Sequence, residues 1–233
     1  MCANYSATRK ERMSQIFNLP HAPSDEEYKE EAFPGDFAPI VRLDPLLGGQ
    51  LDCRLAMFGL VPAWAEPRLA RHTYNARSET VAIKPSFRRA WQHAQFCLIA
   101  VDAFYEPRYS EEGIVRCKIS SRDGQALVFA GIWECHPKLN NLFSFSMLTI
   151  NADAHPVMQQ FHKPGEEKRM PVMLDAEQQQ AWLRADSRAA AQMMLPWEAD
   201  LLQVEVAPVK RRGAPRGARK PVAAPMGEQG SLF

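Results

Sequence analysis

The chain has 233 residues, 46% of them hydrophobic and 24% charged, with a formal net charge of +1. That length suits one domain with a real core, or one domain plus a tail. No run approaches the roughly 18 apolar residues of a membrane span. No basic-then-apolar leader opens the sequence, so a cytoplasmic protein without a membrane partner is expected. The five cysteines (Cys2, Cys53, Cys97, Cys117, Cys135) are odd in number and never in C-x-x-C spacing. The six histidines show no H-x-x-x-H or HExxH spacing. Neither a disulfide framework nor a zinc site is expected, and no metal or other cofactor.

In chain order, Cys2 comes first. Removal of Met1 would leave it with a thiol and a free α-amine, a 1,2-aminothiol that condenses with aldehydes. The same pair equips an N-terminal nucleophile hydrolase, whose amine serves as its own base. A cationic amine beside the thiol should lower the thiol pKa. Position 2 equally suits an ordinary small residue near a terminus. Thr8 to Phe17 reads as a helix, with Thr8 and Glu11 as a capping box and Met13, Ile16 and Phe17 as its apolar stripe. Residues 19 to 38 are rich in Pro, Asp and Glu and read as loop.

Strand-like runs follow at Ile40 to Leu43, Met57 to Val61, Phe96 to Val101, Ile114 to Ile119, Leu127 to Trp133 and Phe145 to Ile150. Helices are expected to open at Pro85 and at Asp175, where Asp175 and Gln178 suit a cap and its return partner. Strands predominate without regular βαβ spacing. The expected class is α+β, one domain around a curved, mainly antiparallel sheet. It should span residues 1–209, with a disordered basic tail over 210–233. That tail holds six basic residues and one acid, leaving 22 basic and 26 acidic residues in the body. Its Pro, Gly, Ala and Arg lack apolar periodicity.

Four polar residues stand where local structure does not require them: Cys2, Asn75, Glu106 and His162. Glu106 ends a long apolar run and is hemmed in by Phe104, Tyr105 and Pro107, a setting for a desolvated general acid–base. It equally suits a rim carboxylate paired with Arg77 or Arg108.

Met1-Cys2, Phe58-Gly59-Leu60-Val61-Pro62-x-Trp64, Asn75-Ala76-Arg77-x-Glu79-Thr80, Phe104-Tyr105-Glu106 and Arg169-Met170-Pro171-Val172 occur in that order. Together they resemble the SRAP family, the SOS response-associated peptidases, from Cys2 to about Leu174. The resemblance implies a DNA-repair protein of a single α+β domain that senses abasic sites in single-stranded DNA. Its N-terminal Cys would join the ring-opened sugar aldehyde in a thiazolidine crosslink, a lyase-like Schiff-base chemistry. The peptidase of the name reflects removal of the initiator Met.

Under that resemblance Cys2 is the nucleophile, and Glu106 and His162 transfer protons. Asn75 orients the terminal amine or peptide group by hydrogen bonds. Arg77, Arg88 and Arg169 would hold phosphates. Trp64 and Pro62 would supply a wedge or stacking platform for flanking bases, while Phe58 reads as core. A cytoplasmic, nucleoid-associated monomer is implied.

Two departures stand out. The family begins Cys-Gly-Arg where this chain has Cys2-Ala3-Asn4, which removes a cation beside the nucleophile. The family His two residues before Arg-Met-Pro is replaced by Glu167, and His162 precedes an insertion, Lys163-Pro164-Gly165-Glu166-Glu167. A loop containing Pro-Gly would restore His162 to the site. Otherwise Glu106 would act alone, with His155 as a substitute. At the far end, Gln229, Leu232 and Phe233 resemble a bacterial sliding-clamp-binding peptide. The alternatives are a thiol peptidase or amidase with Cys2 as nucleophile, or a DNA-binding adaptor in which Cys2 is incidental.

Overall fold

A computed structural model of the protein describes residues 2–44, 46 and 48–207. In chain order the described elements are β1 (Tyr5–Ala7), α1 (Lys10–Phe17), β2 (Glu31–Ala32), β3 (Phe37–Asp44), β4 (Gln50–Phe58), β5 (Asn75–Arg77), α2 (Arg88–Gln92) and β6 (Phe96–Ser110). They continue with β7 (Gly113–Ser121), β8 (Leu127–His136), β9 (Leu142–Asn151), β10 (Arg169–Pro171), α3 (Ala176–Arg184), α4 (Ser187–Met193) and β11 (Leu202–Val206). Every strand-like run of the sequence lies in or overlaps a strand, and the class is α+β with a mainly antiparallel sheet. The expected tail, with Gln229, Leu232 and Phe233, lies outside the described residues, as does the proposed boundary at residue 209.

The 15-residue strand β6 organises the molecule. Its first half pairs with β8 on one side, and at Cys97 and Leu98 with β3 on the other. β3 pairs with β4, β4 with β9 in parallel, and β9 with β8. These five strands therefore close into a ring. Closure leaves no free edge along most of the ring and surrounds a core with side chains from every strand. Phe58 stacks on Phe145 at 5.2 Å, and Tyr5 meets Phe58 edge-on at 5.3 Å. Gly59 follows at φ +119, and a Cβ there would strike the carbonyl oxygen of Ala70 at 2.1 Å. Only glycine permits that turn.

The second half of β6 leaves the ring and pairs with β1 and β7, with β11 beyond β7. Helix α3 covers the ring, where the Trp182 indole donates to the Cys97 carbonyl at 3.2 Å. Its capping box is present, Asp175 accepting from the Gln178 amide and Gln178 from the Asp175 amide. The other expected cap is not. Helix α1 begins at Lys10, and the Thr8 hydroxyl turns to Asp102 at 3.0 Å. Asp25 accepts from the Lys10 amide at 2.8 Å instead, a cap delivered from the following loop. The helix expected at Pro85 starts three residues later, at Arg88, after a run of turns.

Candidate active site

The N-terminal residues run back along β6. Tyr5 faces Phe104, and the Tyr105 amide donates to the Asn4 carbonyl at 3.0 Å. Cys2 is thereby led toward Glu106 and is only 2% exposed. Asn75 arrives from β5, which is held in parallel against β9, and its Nδ2 donates to the Cys2 carbonyl at 2.8 Å. Glu106, 2% exposed, stands on the half of β6 shared with β7.

His162 comes from the far side of the fold. Its Nε2 lies 3.3 Å from Glu106 Oε2. The inserted loop makes this possible. Phe161 bridges to Arg108 in an isolated β contact, and the His162 amide donates to the Pro107 carbonyl at 3.1 Å. His162 itself takes a left-handed conformation, φ +62, a strained geometry for a non-glycine residue that the surrounding bonds enforce. Lys168 then draws the loop back, its Nζ donating to the carbonyls of His162 and Lys163. All four candidate polar residues thus meet at one place.

With Met1 still attached, burial dominates the environment of the Cys2 thiol. Burial, and next the negative charge of Glu106, push its pKa well above the usual thiol range.

His155 stays out of the site. Its Nδ1 accepts from the amides of Val157 and Met158 at 3.2 and 3.0 Å, so its proton belongs on Nε2, which lies 2.8 Å from the Trp197 carbonyl. It caps the short turn that leads to Phe161 and His162 and is not a substitute for His162.

The rim is basic but largely self-paired. Arg77 is exposed on β5, its Nη1 2.7 Å from Glu167 Oε2. Arg169, expected to hold a phosphate, is spent on partners within the protein. It is 1% exposed, holds Glu79 with both terminal nitrogens at 2.8 and 2.9 Å, and also donates to Glu167 and to the Thr149 carbonyl. Its charge locks β10 to the Glu79 turn rather than facing solvent. Arg88 is exposed on α2, which packs on β8. Trp64 is 67% exposed and, with Leu69, Arg71 and His72, lines a cavity of about 540 Å3. Pro62 is buried, so Trp64 alone of the expected wedge faces outward.

A family model, SOS response associated peptidase (SRAP), matches residues 1–212. The chain belongs to that family. Among curated relatives of this SRAP chain, the abasic site processing protein YoqW of Bacillus subtilis is 30% identical over 150 residues. That match covers 61% of this chain and 63% of YoqW. The abasic site processing protein HMCES of Xenopus tropicalis is 27% identical over 145 residues, 52% of this chain and 41% of its own length. The chain thus spans less than two thirds of the curated relatives it matches. A crystal structure of a Bordetella bronchiseptica protein superposes with a TM-score of 0.80 at 31% identity, covering 89% of this chain and all of that one. A Bacteroides thetaiotaomicron structure, at 19% identity and a TM-score of 0.73 over 89% of this chain and 93% of its own, shares the SRAP fold.

Sequence reasoning missed several neighbours of Cys2. Where a cation seemed lost at position 4, Asn4 accepts from Arg116 at 2.6 Å. Arg116 comes from β7, lies 3.6 Å over the Tyr105 ring and pairs with Glu31 at 2.8 Å. Asn4, Tyr105 and Arg116, together with Glu106, His162 and Phe33, line a cavity of about 410 Å3. Only pairing across strands reveals it, because Arg116 and Lys118 alternate in sequence like the solvent face of any antiparallel strand. Tyr74 was missed as well. Its phenol is pushed up by burial and by the charges of Glu106 and Cys2, which places it in the same electrostatic field.

Proposed function

We propose that this protein captures abasic sites in single-stranded DNA as a thiazolidine on Cys2, after Met1 has been removed. One observation carries the reading: a buried Cys2, held by Asn75, lies in the field of a Glu106–His162 pair. That is the equipment an aminothiol needs to condense with an aldehyde. The ring-opened deoxyribose of an abasic site presents such an aldehyde. The α-amine of Cys2 adds to the carbonyl carbon and gives a carbinolamine. Glu106 or His162 protonates its hydroxyl, water leaves, and an imine remains. The thiol then adds to the imine carbon while its proton passes through the Glu106–His162 pair to the nitrogen. Aldehyde and aminothiol become a thiazolidine and one water.

A buried thiol fits this order. The amine attacks first, and the thiol is needed only once the imine is in place. A peptidase acting through Cys2 would instead need the thiolate as its first nucleophile, which burial disfavours. Asn75 fixes the Cys2 carbonyl and so points the terminal amine. Arg77 and Trp64 supply the outward-facing cation and aromatic for the flanking strand. The segment with Gln229, Leu232 and Phe233 is proposed to bind a sliding clamp, which loss of binding in a chain ending at residue 227 would establish.

The test is a denaturing gel of protein with a single-stranded oligonucleotide carrying one abasic site, beside an intact strand and a Cys2→Ser variant. A heat- and SDS-resistant band is expected only with the abasic strand and only with Cys2, with mass spectrometry showing Met1 gone. Protein that starts at Cys2 and gives no band would sink the proposal and return attention to the peptidase.

A further inference from the structure

Arg77 is two residues from Asn75 on β5, about 7 Å along the strand from the residue that holds Cys2. A phosphate next to a captured sugar would meet it there. In the free protein that place is taken. Arg77 Nη1 donates to Glu167 Oε2 at 2.7 Å, while Glu167 Oε1 accepts from Arg169 at 2.7 Å and from Asn151 at 3.1 Å. Arg169 in turn holds Glu79 with both terminal nitrogens. Two carboxylates therefore balance two guanidiniums at the mouth of the site. They differ in exposure, the Arg169 side chain at 1% against 46% for Arg77 and 33% for Glu167.

We propose that Glu167 is a specificity-determining residue, a built-in competitor that holds the place of a DNA phosphate at Arg77. This rests on the DNA reading above. The two oxygens of Glu167 have separate tasks. Oε1 stays with Arg169 and Asn151, while Oε2 gives up Arg77 to an incoming phosphate by a small side-chain rotation. Hydrogen bonds from Arg169 hold the Glu167 carboxyl below its usual range. Near neutral pH the competitor is therefore always charged, and only another anion displaces it.

The cost falls unequally on substrates. An intact strand is held by reversible contacts alone and bears the whole of it. An abasic strand bears it only until Cys2 closes the ring. Glu167 thus lowers occupancy on undamaged DNA without lowering the final yield of capture.

The experiment measures binding of an intact single-stranded oligonucleotide by fluorescence anisotropy over a range of salt. It compares the full chain with E167Q, R77A and the double variant. Glutamine keeps an oxygen for Arg169, so the fold is retained. E167Q should bind about twofold to fivefold tighter, the range set by one exposed ion pair. The slope of log affinity against log salt should steepen by about 0.7, because the freed phosphate contact then releases a counterion that no exposed carboxylate takes back. In the R77A background E167Q should change neither quantity, and the yield of abasic capture by E167Q should equal that of the full chain.

Equal affinity and slope in the full chain and E167Q, with both binding DNA, would overturn the competitor and leave the DNA reading standing. So would tighter binding that persists with R77A, since that reports only the lost negative charge. If no variant binds or captures either strand, the DNA reading has failed and this proposal falls with it.

Discussion

The pocket around Cys2 and the rim around Arg77 are built from similar residues and work by opposite physics. In the pocket, polar groups are withdrawn from water and held by the sheet. Asn75, Glu106 and His162 come from three separate elements, and each is fixed by backbone bonds that leave it little freedom. On the rim, charges are neutralised by one another and part of the arrangement stays open to solvent. Under the proposed capture, burial would set reactivity in the first region, and ion exchange would set affinity in the second. A substitution in the pocket should therefore change rates, and one on the rim should change binding or stability.

The sharpest break of that contrast is Glu106→Gln. Gln keeps the size and polarity of the side chain beside His162 but cannot carry a proton, so abasic capture should slow by 100-fold or more, the usual scale for losing a positioned acid–base group. Binding to an intact strand should stay within about twofold. A time course of the denaturing gel, beside anisotropy, reads both. Weakened binding with an unchanged rate would place Glu106 on the wrong side of the comparison.

Arg169→Met comes next. It removes a buried cation that Glu79 and Glu167 both accept from. A loss of about 2 kcal/mol is expected in denaturant unfolding, the cost of orphaning charged hydrogen-bond partners that water can still reach. Capture by the folded variant should continue, which would establish Arg169 as a lock between β10 and the Glu79 turn. Abolished DNA binding in a protein of undiminished stability would restore it to the phosphate contacts.

The smallest effect is in pH, where the two regions should separate. Hydrogen bonds from Arg169 lower the carboxyls of Glu79 and Glu167 from 4.5. Their stabilisation is present above 4.5 and is lost as pH falls through the lowered values. The Cys2 thiol is raised from 9.0 by burial and by Glu106. Its contribution is complete below 9.0 and is lost as pH rises beyond it. Arg169→Met should flatten the acid limb of an unfolding-midpoint profile, and Cys2→Ser should soften the alkaline limb. Each variant should leave the other limb alone.

Much of this was legible in the sequence, and what was not shares a cause. The long strands announced themselves by apolar runs, and Glu106 stood out because it ended one. The three-residue strands β1, β5 and β10 are too short to show a period, yet they carry or adjoin Cys2, Asn75 and Arg169. The site could be named from motifs, but not the ladders that build it. Charge partners were invisible for the same reason. Nothing near Lys10 in sequence reveals Asp25 as its cap, and nothing near Asn4 reveals Arg116. The pairing of Arg169 was hidden because a motif reports which residues neighbour a site and says nothing about which way a side chain is spent. The insertion after His162 could be read as a loop able to close, while the strained backbone and the Lys168 tie that close it belong to the tertiary structure.

The seating of the first residues gives the molecule a mechanical character. Under the proposed capture, DNA would hang from residue 2, and any machine that pulls on the strand would pull on the chain's own end. Tension would meet the Asn75 bond first and then the few rungs between β1 and β6. Beyond them lies a closed ring that has no end to grip. The attachment point is thus a short, breakable hem on a body that resists unravelling, and a hauled strand would loosen the hem long before it disturbed the core.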